Sequence, residues 1–158
     1  MIKKIIYLHG LESQQGGEKV DFLSQNSLVL YAPKLDYKNP NEFQRILKEV
    51  QSFEPDLIIG SSMGGYMAYL IASHLNIPVL LFNPALHHRT LELNVVSYGK
   101  YEVIGMCVLG GKDEVIDYKI TYELINEKNI KVYVEEKMEH RTSLELFIKY
   151  FNLYKKQL

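Results

Sequence analysis

Apolar residues along the chain fall into two alternating rhythms. Six short runs rich in Ile, Leu and Val, at Ile2–Leu8, Leu28–Tyr31, Leu57–Gly60, Val79–Phe82, Met106–Leu109 and Val132–Val134, have the length and composition of strands buried on both faces. Between them the spacing turns helical. Phe43, Ile46, Leu47 and Val50 form an i, i+3, i+4, i+7 stripe opened by Asn39-Pro40, where the missing proline N–H costs nothing. Leu144, Phe147, Ile148 and Phe151 repeat the stripe near the C-terminus, and Tyr118, Thr121, Tyr122 and Ile125 make a weaker one. Met63–Leu75 is apolar nearly all round, as a central helix packed under neighbours would be. Strand and helix thus alternate throughout. This order predicts a three-layer α/β fold: about six mostly parallel strands joined by right-handed crossovers, helices on both faces, and ligands at the carboxyl ends of the strands.

No repeat, low-complexity tract or linker interrupts the pattern, so residues 1–158 are expected to form a single domain without a separate lid. The longest stretch with no predicted element runs from Asn83 to about Glu102, and a loop of that length is usually functional or at least covers something.

Composition narrows the function classes. Hydrophobic residues at 47% and charged residues at 23% are those of a globular protein rather than a disordered chain or coiled coil. No apolar run approaches the length of a membrane span, and Lys3-Lys4 precede only a brief apolar stretch before His9-Gly10. The expected location is therefore the cytoplasm, without membrane insertion. Eighteen Lys and Arg against nineteen Asp and Glu leave a net charge of −1, which gives no global footprint for nucleic acid and suits an uncharged small-molecule substrate. The lone Cys107 excludes an intramolecular disulfide and a multi-cysteine metal site. His9, His87 and His88 have no supporting cysteine or carboxylate spacing, so no metal is expected.

The chemistry concentrates in one turn. Gly60-Ser61-Ser62-Met63-Gly64 fills a G-x-S-x-G pattern between a predicted buried strand and a predicted apolar helix. A serine nucleophile needs a sharp strand-to-helix turn that exposes its hydroxyl, with small residues two positions either side. Centring the pattern on Ser61 would put Ile59 and Met63 where glycines belong, so Ser62 is the candidate nucleophile. The helix that starts there aims the Met63 amide at the reacting centre as an oxyanion donor.

A serine hydroxyl is weak until a positioned base takes its proton. Asp113 follows the fifth predicted strand in Leu109-Gly110-Gly111-Lys112-Asp113, with Glu114 and Asp117 as competing acids. His140 follows the sixth, just before the last helix; His74 falls on the apolar helix, and His87 and His88 in the loop after the fourth strand. At the start, the first strand runs into His9-Gly10-Leu11, where Gly10 allows the close approach that would let the Leu11 amide supply a second oxyanion donor and His9 shapes the loop. His9, Gly10, Leu11, Tyr66, Leu86, Tyr98 and Tyr101 are the candidates to line the substrate site.

With these pieces placed, the sequence resembles the α/β-hydrolase superfamily and, within it, the YqiA-like small esterases of the UPF0227 group. The resemblance rests on Ile6-Tyr7-Leu8-His9-Gly10-Leu11-Glu12-Ser13, Gly60-Ser61-Ser62-Met63-Gly64-Gly65-Tyr66, Asn83-Pro84-Ala85 and Asp113-Glu114-Val115-Ile116-Asp117-Tyr118. It implies a minimal α/β-hydrolase fold with Ser62 as nucleophile, Asp113 as acid, His140 as base, and the Leu11 and Met63 amides as the oxyanion hole. The implied activity is cofactor-free hydrolysis of small to medium carboxylic esters through an acyl-enzyme. Thioester hydrolysis or acyl transfer by the same residues, and a non-catalytic binding module on the same fold, are the competing expectations. One departure stands out: Lys137-Met138-Glu139 precedes His140, where such proteins usually carry a Gly-Gly or Gly-Asn turn.

Overall fold

A computed structural model describes residues 2–97, 99–126 and 128–157. Its strands are β1 (Lys4–Leu8), β2 (Val29–Tyr31), β3 (Leu57–Ser61), β4 (Val79–Phe82), β5 (Gly105–Gly110) and β6 (Ile130–Glu135). Its helices are α1 (Glu18–Asn26), α2 (Glu42–Phe53), α3 (Met63–Leu75), α4 (Tyr118–Ile125) and α5 (Leu144–Lys156). The strands form one sheet in the order β2-β1-β3-β4-β5-β6, with every neighbouring pair parallel.

Strand side chains alternate between two apolar layers, as the two-residue period of a strand requires. Ile6, Leu8, Ile58, Leu81, Cys107 and Leu109 face α2, α3 and α4 through Phe43, Ile46, Met67, Ile71 and Ile125. Ile5, Tyr7, Ile59, Leu80, Phe82 and Val108 face α1 and α5 through Leu23, Phe147, Tyr150 and Phe151. Phe147 anchors the second layer, stacked on Phe82 with centroids 5.0 Å apart and edge-on to Tyr7 at 5.9 Å. Each such fully buried side chain contributes about 2 kcal/mol of transfer free energy, which explains why the continuous apolar runs became the central strands.

The distribution of helices follows from handedness. From β1 the chain steps to the edge at β2, then reverses and steps steadily the other way to β6. Right-handed crossovers therefore put α1 on one face and α2, α3 and α4 on the other, with α5 returning across the α1 face. The reversal makes β1/β3 the switch point, so a crevice opens beyond the carboxyl ends of these two strands.

The six predicted strands and four predicted helices are all present, with end shifts of a few residues. α1 is additional. It starts from Gly17 with no side-chain cap and fully buries only Leu23, so its sequence carries a weak helical stripe. The described residues between β4 and β5 form no helix or strand; this segment covers the α3 face instead through buried Leu93 and Val103.

Candidate active site

β3 ends in Ser61, and α3 begins at Met63, leaving Ser62 alone to make the turn at φ 54, ψ −118. An L-residue pays for this conformation, on the order of 1–3 kcal/mol. The turn is held on three sides. The Ser62 N–H donates to the Phe82 carbonyl at 3.0 Å, and the Ser62 carbonyl accepts from the Tyr66 and Ala85 amides at 3.0 Å each. Glycine is required on both flanks: a Cβ on Gly60 would run into the Gly64 and Gly65 backbone, and one on Gly64 into the Leu8 and His9 carbonyls. The G-x-S-x-G spacing thus reflects backbone packed on backbone where β1, β3 and α3 meet.

Opposite Ser62 lies His140. Its Nε2 is 2.9 Å from Ser62 Oγ, and its Nδ1 is 2.8 Å from Asp113 Oδ2. The Asp113 side chain is fully buried while His140 is 28% exposed, so the carboxylate is sheltered and the imidazole faces the crevice. The other carboxylate oxygen, Oδ1, accepts from the Val115 and Ile116 amides at 2.8 Å each. With both oxygens occupied, Asp113 fixes the Nδ1–H tautomer of His140 and leaves the Nε2 lone pair toward the serine. Of the competing acids, Asp117 caps α4 through the Lys119 amide and Glu114 lies in the Asp113 turn.

The Lys137-Met138-Glu139 approach to His140 contains no glycine but lies against Gly110, where a Cβ would run into the Met138 and Glu139 carbonyls. Met138 is 2% exposed in the α1/α5 layer, its carbonyl accepts from the Lys112 amide at 3.0 Å, and its amide donates to Glu135 at 3.1 Å. The loop is also stapled by Asn83, a residue the sequence pattern flagged only within a family motif. Asn83 is 1% exposed at φ 43; its Nδ2 donates to the Glu139 and His140 carbonyls, both at 3.0 Å, and its Oδ1 accepts from the Gly110 amide at 2.7 Å. One buried amide therefore ties the ends of β4 and β5 to the histidine loop. Asn83→Ala is expected to cost about 3 kcal/mol in urea unfolding, since it orphans buried groups on two loops. The same variant should lower kcat roughly 10- to 100-fold with KM little changed, because the imidazole loses its fixed position.

Leu11 and Met63 border a cavity of about 750 Å³ that is also lined by Ser62 and His140. Among the described residues neither amide donates to a protein acceptor, so both remain available. His9 is 6% exposed and shapes this loop: its Nδ1–H donates to the Gly10 carbonyl at 2.8 Å, its Nε2 accepts from the Leu35 amide at 3.4 Å, and its carbonyl accepts from the Tyr37 hydroxyl. His9, Gly10 and Leu11 border the cavity.

Tyr66 and Leu86 do not border it. Both pack against the α2/α3 layer, and the Arg89 guanidinium stacks 4.1 Å from the Tyr66 ring centroid. Tyr101 is 40% exposed and its amide bonds to Ser73 on α3, away from the crevice. Tyr98 lies outside the described residues. His88 borders the cavity, while His87 bonds Thr121 of α4 at 3.1 Å. Among the described residues no cluster of three or more His, Cys, Asp or Glu side chains could hold a metal ion, and no helix is long and apolar enough to cross a membrane.

Solved structures share this architecture at low sequence identity. They include a Xanthomonas campestris pv. campestris protein of the alpha/beta superfamily (TM-score 0.79, 17% identical, 99% of this chain and 98% of that one). Est1E from Butyrivibrio proteoclasticus gives a TM-score of 0.71 at 15% identity, over 99% of this chain and 88% of its own. The fold is that of the α/β hydrolases in minimal form. Closer in sequence are UPF0227 proteins of Vibrio parahaemolyticus serotype O3:K6, 30% identical over 164 residues (87% of this chain, 90% of that protein), and of Vibrio cholerae serotype O1, 31% identical over 150 residues (78% and 83%). Residues 4–96 match the model of "Uncharacterised protein family (UPF0227)", a span that includes β1, the Ser62 turn and Asn83, and the chain is a member of that family.

Proposed function

We propose that the protein is a serine hydrolase that cleaves carboxylic esters through an acyl-enzyme on Ser62. The observation that carries this reading is the hydrogen-bonded line from Ser62 Oγ through His140 to a buried Asp113, at 2.9 and 2.8 Å, on the wall of a cavity with two unengaged amides.

Each step has its group. His140 Nε2 takes the proton as Ser62 Oγ bonds to the ester carbon, and the carbonyl oxygen becomes an oxyanion facing the Leu11 and Met63 amides. Two such preorganised donors contribute on the order of 3 kcal/mol each. Collapse of the adduct breaks the bond to the leaving alkoxide, which receives the proton from Nε2. Water then repeats the sequence, with His140 again as base, and releases the acid. Asp113 keeps the Nδ1–H pointed at itself and stabilises the imidazolium that forms twice per cycle. A cavity of about 750 Å³ suits a small to medium substrate.

A fluorophosphonate probe tests this directly. The wild-type protein should be labelled stoichiometrically on Ser62, and Ser62→Ala should take up no label. An unlabelled wild type, or equal labelling of both, would leave the fold as a binding module and sink the hydrolase reading.

A further inference from the structure

The cavity wall beside Ser62 has a second chemistry that ester cleavage does not use. Tyr7, Lys19, Ser61 and Arg141 all border the cavity. Tyr7 is 7% exposed at the end of β1, and the buried Ser61 hydroxyl lies beside the Tyr7 hydroxyl. Lys19, at the start of α1, is half-buried with its Nζ 5.7 Å from the Phe147 ring centroid. Arg141 is exposed at the mouth, immediately after the histidine.

Neither cation forms a salt bridge among the described residues. Arg45, Arg89 and Lys149 each meet a carboxylate, whereas among the described residues Lys19 and Arg141 form no ion pair, although Glu12 and Glu18 stand exposed on the same rim. Burial, and then the neighbouring Arg141 guanidinium, hold the Lys19 ammonium below the usual lysine range. Glu18 offsets part of this, but two cations bordering one cavity, one of them half-buried, repel each other, and a negative group delivered between them relieves that repulsion. Arg89, also on the cavity wall, is not available for this role: it is committed to Glu92 and to the Ala85 and Leu86 carbonyls.

We propose that Lys19 and Arg141, with the Tyr7 and Ser61 hydroxyls, form an anion subsite, so that the ester cleaved at Ser62 carries a carboxylate or phosphate. The proposal rests on the esterase reading for its chemistry but not for its binding. It replaces the neutral substrate expected from the net charge, because the field at the site is set by local cations rather than by the sum over the chain.

The test compares matched esters. Methyl hydrogen adipate against methyl hexanoate puts the charge on the acyl side; 3-acetoxybenzoate and 3-acetoxyphenyl phosphate against phenyl acetate put a carboxylate or a phosphate on the alcohol side. At least one anionic ester should exceed its neutral match about 10-fold in kcat/KM. Lys19→Met and Arg141→Met should each shrink that ratio several-fold, chiefly through KM, and added salt should shrink it further. Ratios within twofold for every pair, or ratios unmoved in both variants, overturn the subsite. Calorimetric titration of Ser62→Ala with the same pairs reads the subsite without turnover: tighter binding of an anionic member that Arg141→Met abolishes supports it, and equal or absent binding overturns it. Anion-selective binding in a protein that neither hydrolyses an ester nor accepts the fluorophosphonate would overturn the esterase reading alone.

Discussion

Ser62→Ala is expected to lower kcat/KM for a short ester by about 10⁵- to 10⁶-fold while leaving KM close to wild type. The substitution removes the one oxygen aligned with His140 Nε2 and leaves the cavity and the Leu11 and Met63 amides in place. Residual turnover about 10³-fold above the uncatalysed rate should survive, since these donors still stabilise the oxyanion of a direct water attack. Adding His140→Ala to Ser62→Ala should cost little more, because the two residues act as a unit. Stability separates function from packing here. Alanine inherits the φ 54, ψ −118 turn, so Ser62→Ala should unfold near the wild-type midpoint; Ser62→Gly, free of the Cβ penalty, should be more stable by about 1 kcal/mol. Loss of activity with a retained or raised midpoint marks a residue kept for chemistry. A Ser62→Ala enzyme with more than a hundredth of wild-type kcat/KM would remove the serine from the mechanism.

Asp113→Asn should be the next most damaging change, about 10⁴-fold in kcat. The fully buried aspartate accepts three hydrogen bonds: the Val115 and Ile116 amides on Oδ1, and His140 Nδ1–H on Oδ2. An asparagine can keep its oxygen on the two loop amides only by presenting its NH₂ to Nδ1. The histidine must then carry its proton on Nε2, facing the serine, and it can no longer act as base. The loop amides still find an acceptor, so the fold should persist, and the defect should appear in kcat with an altered pH–rate profile rather than in KM. Asp117→Asn removes part of a helix cap outside this line, and its kcat should stay within a few-fold of wild type. Equal losses from the two variants would mean that Asp113 does not orient the base.

Much of this arrangement was legible from local pattern. Strands buried on both faces must be continuously apolar, which exposed β1, β3, β4 and β5 at once; the glycines around Ser62 are demanded by backbone contacts of that turn, so they stand out in sequence. Other features had no local signal. α1 fully buries one side chain and lacks a side-chain cap, so it forms because the sheet offers a surface, not because its own spacing asks for a helix. Asn83 acts through partners 27 to 57 residues away, a relation no periodicity encodes. Tyr66 follows Ser62 by one helical turn, which makes it a pocket candidate in sequence, yet its ring packs against the α2/α3 layer under the Arg89 guanidinium. The cations were hidden for a simpler reason: charges that cancel in the total do not cancel in space.

The route by which His140 reaches Ser62 also has a consequence for biosynthesis. The nucleophile turn is completed by residues up to Ala85, whereas the acid and base come from the last third of the chain and the base loop is stapled back onto Asn83. A chain still emerging from the ribosome can pair β1, β3 and β4 and display Ser62, but the imidazole that meets the serine, His140, is not yet there. On the proposed mechanism the serine is armed only once residues through His140 have emerged and β5 and β6 have docked. On that mechanism incomplete chains would be spared acylation by passing esters, and the moment at which reactivity toward a fluorophosphonate appears would time the docking of the histidine loop.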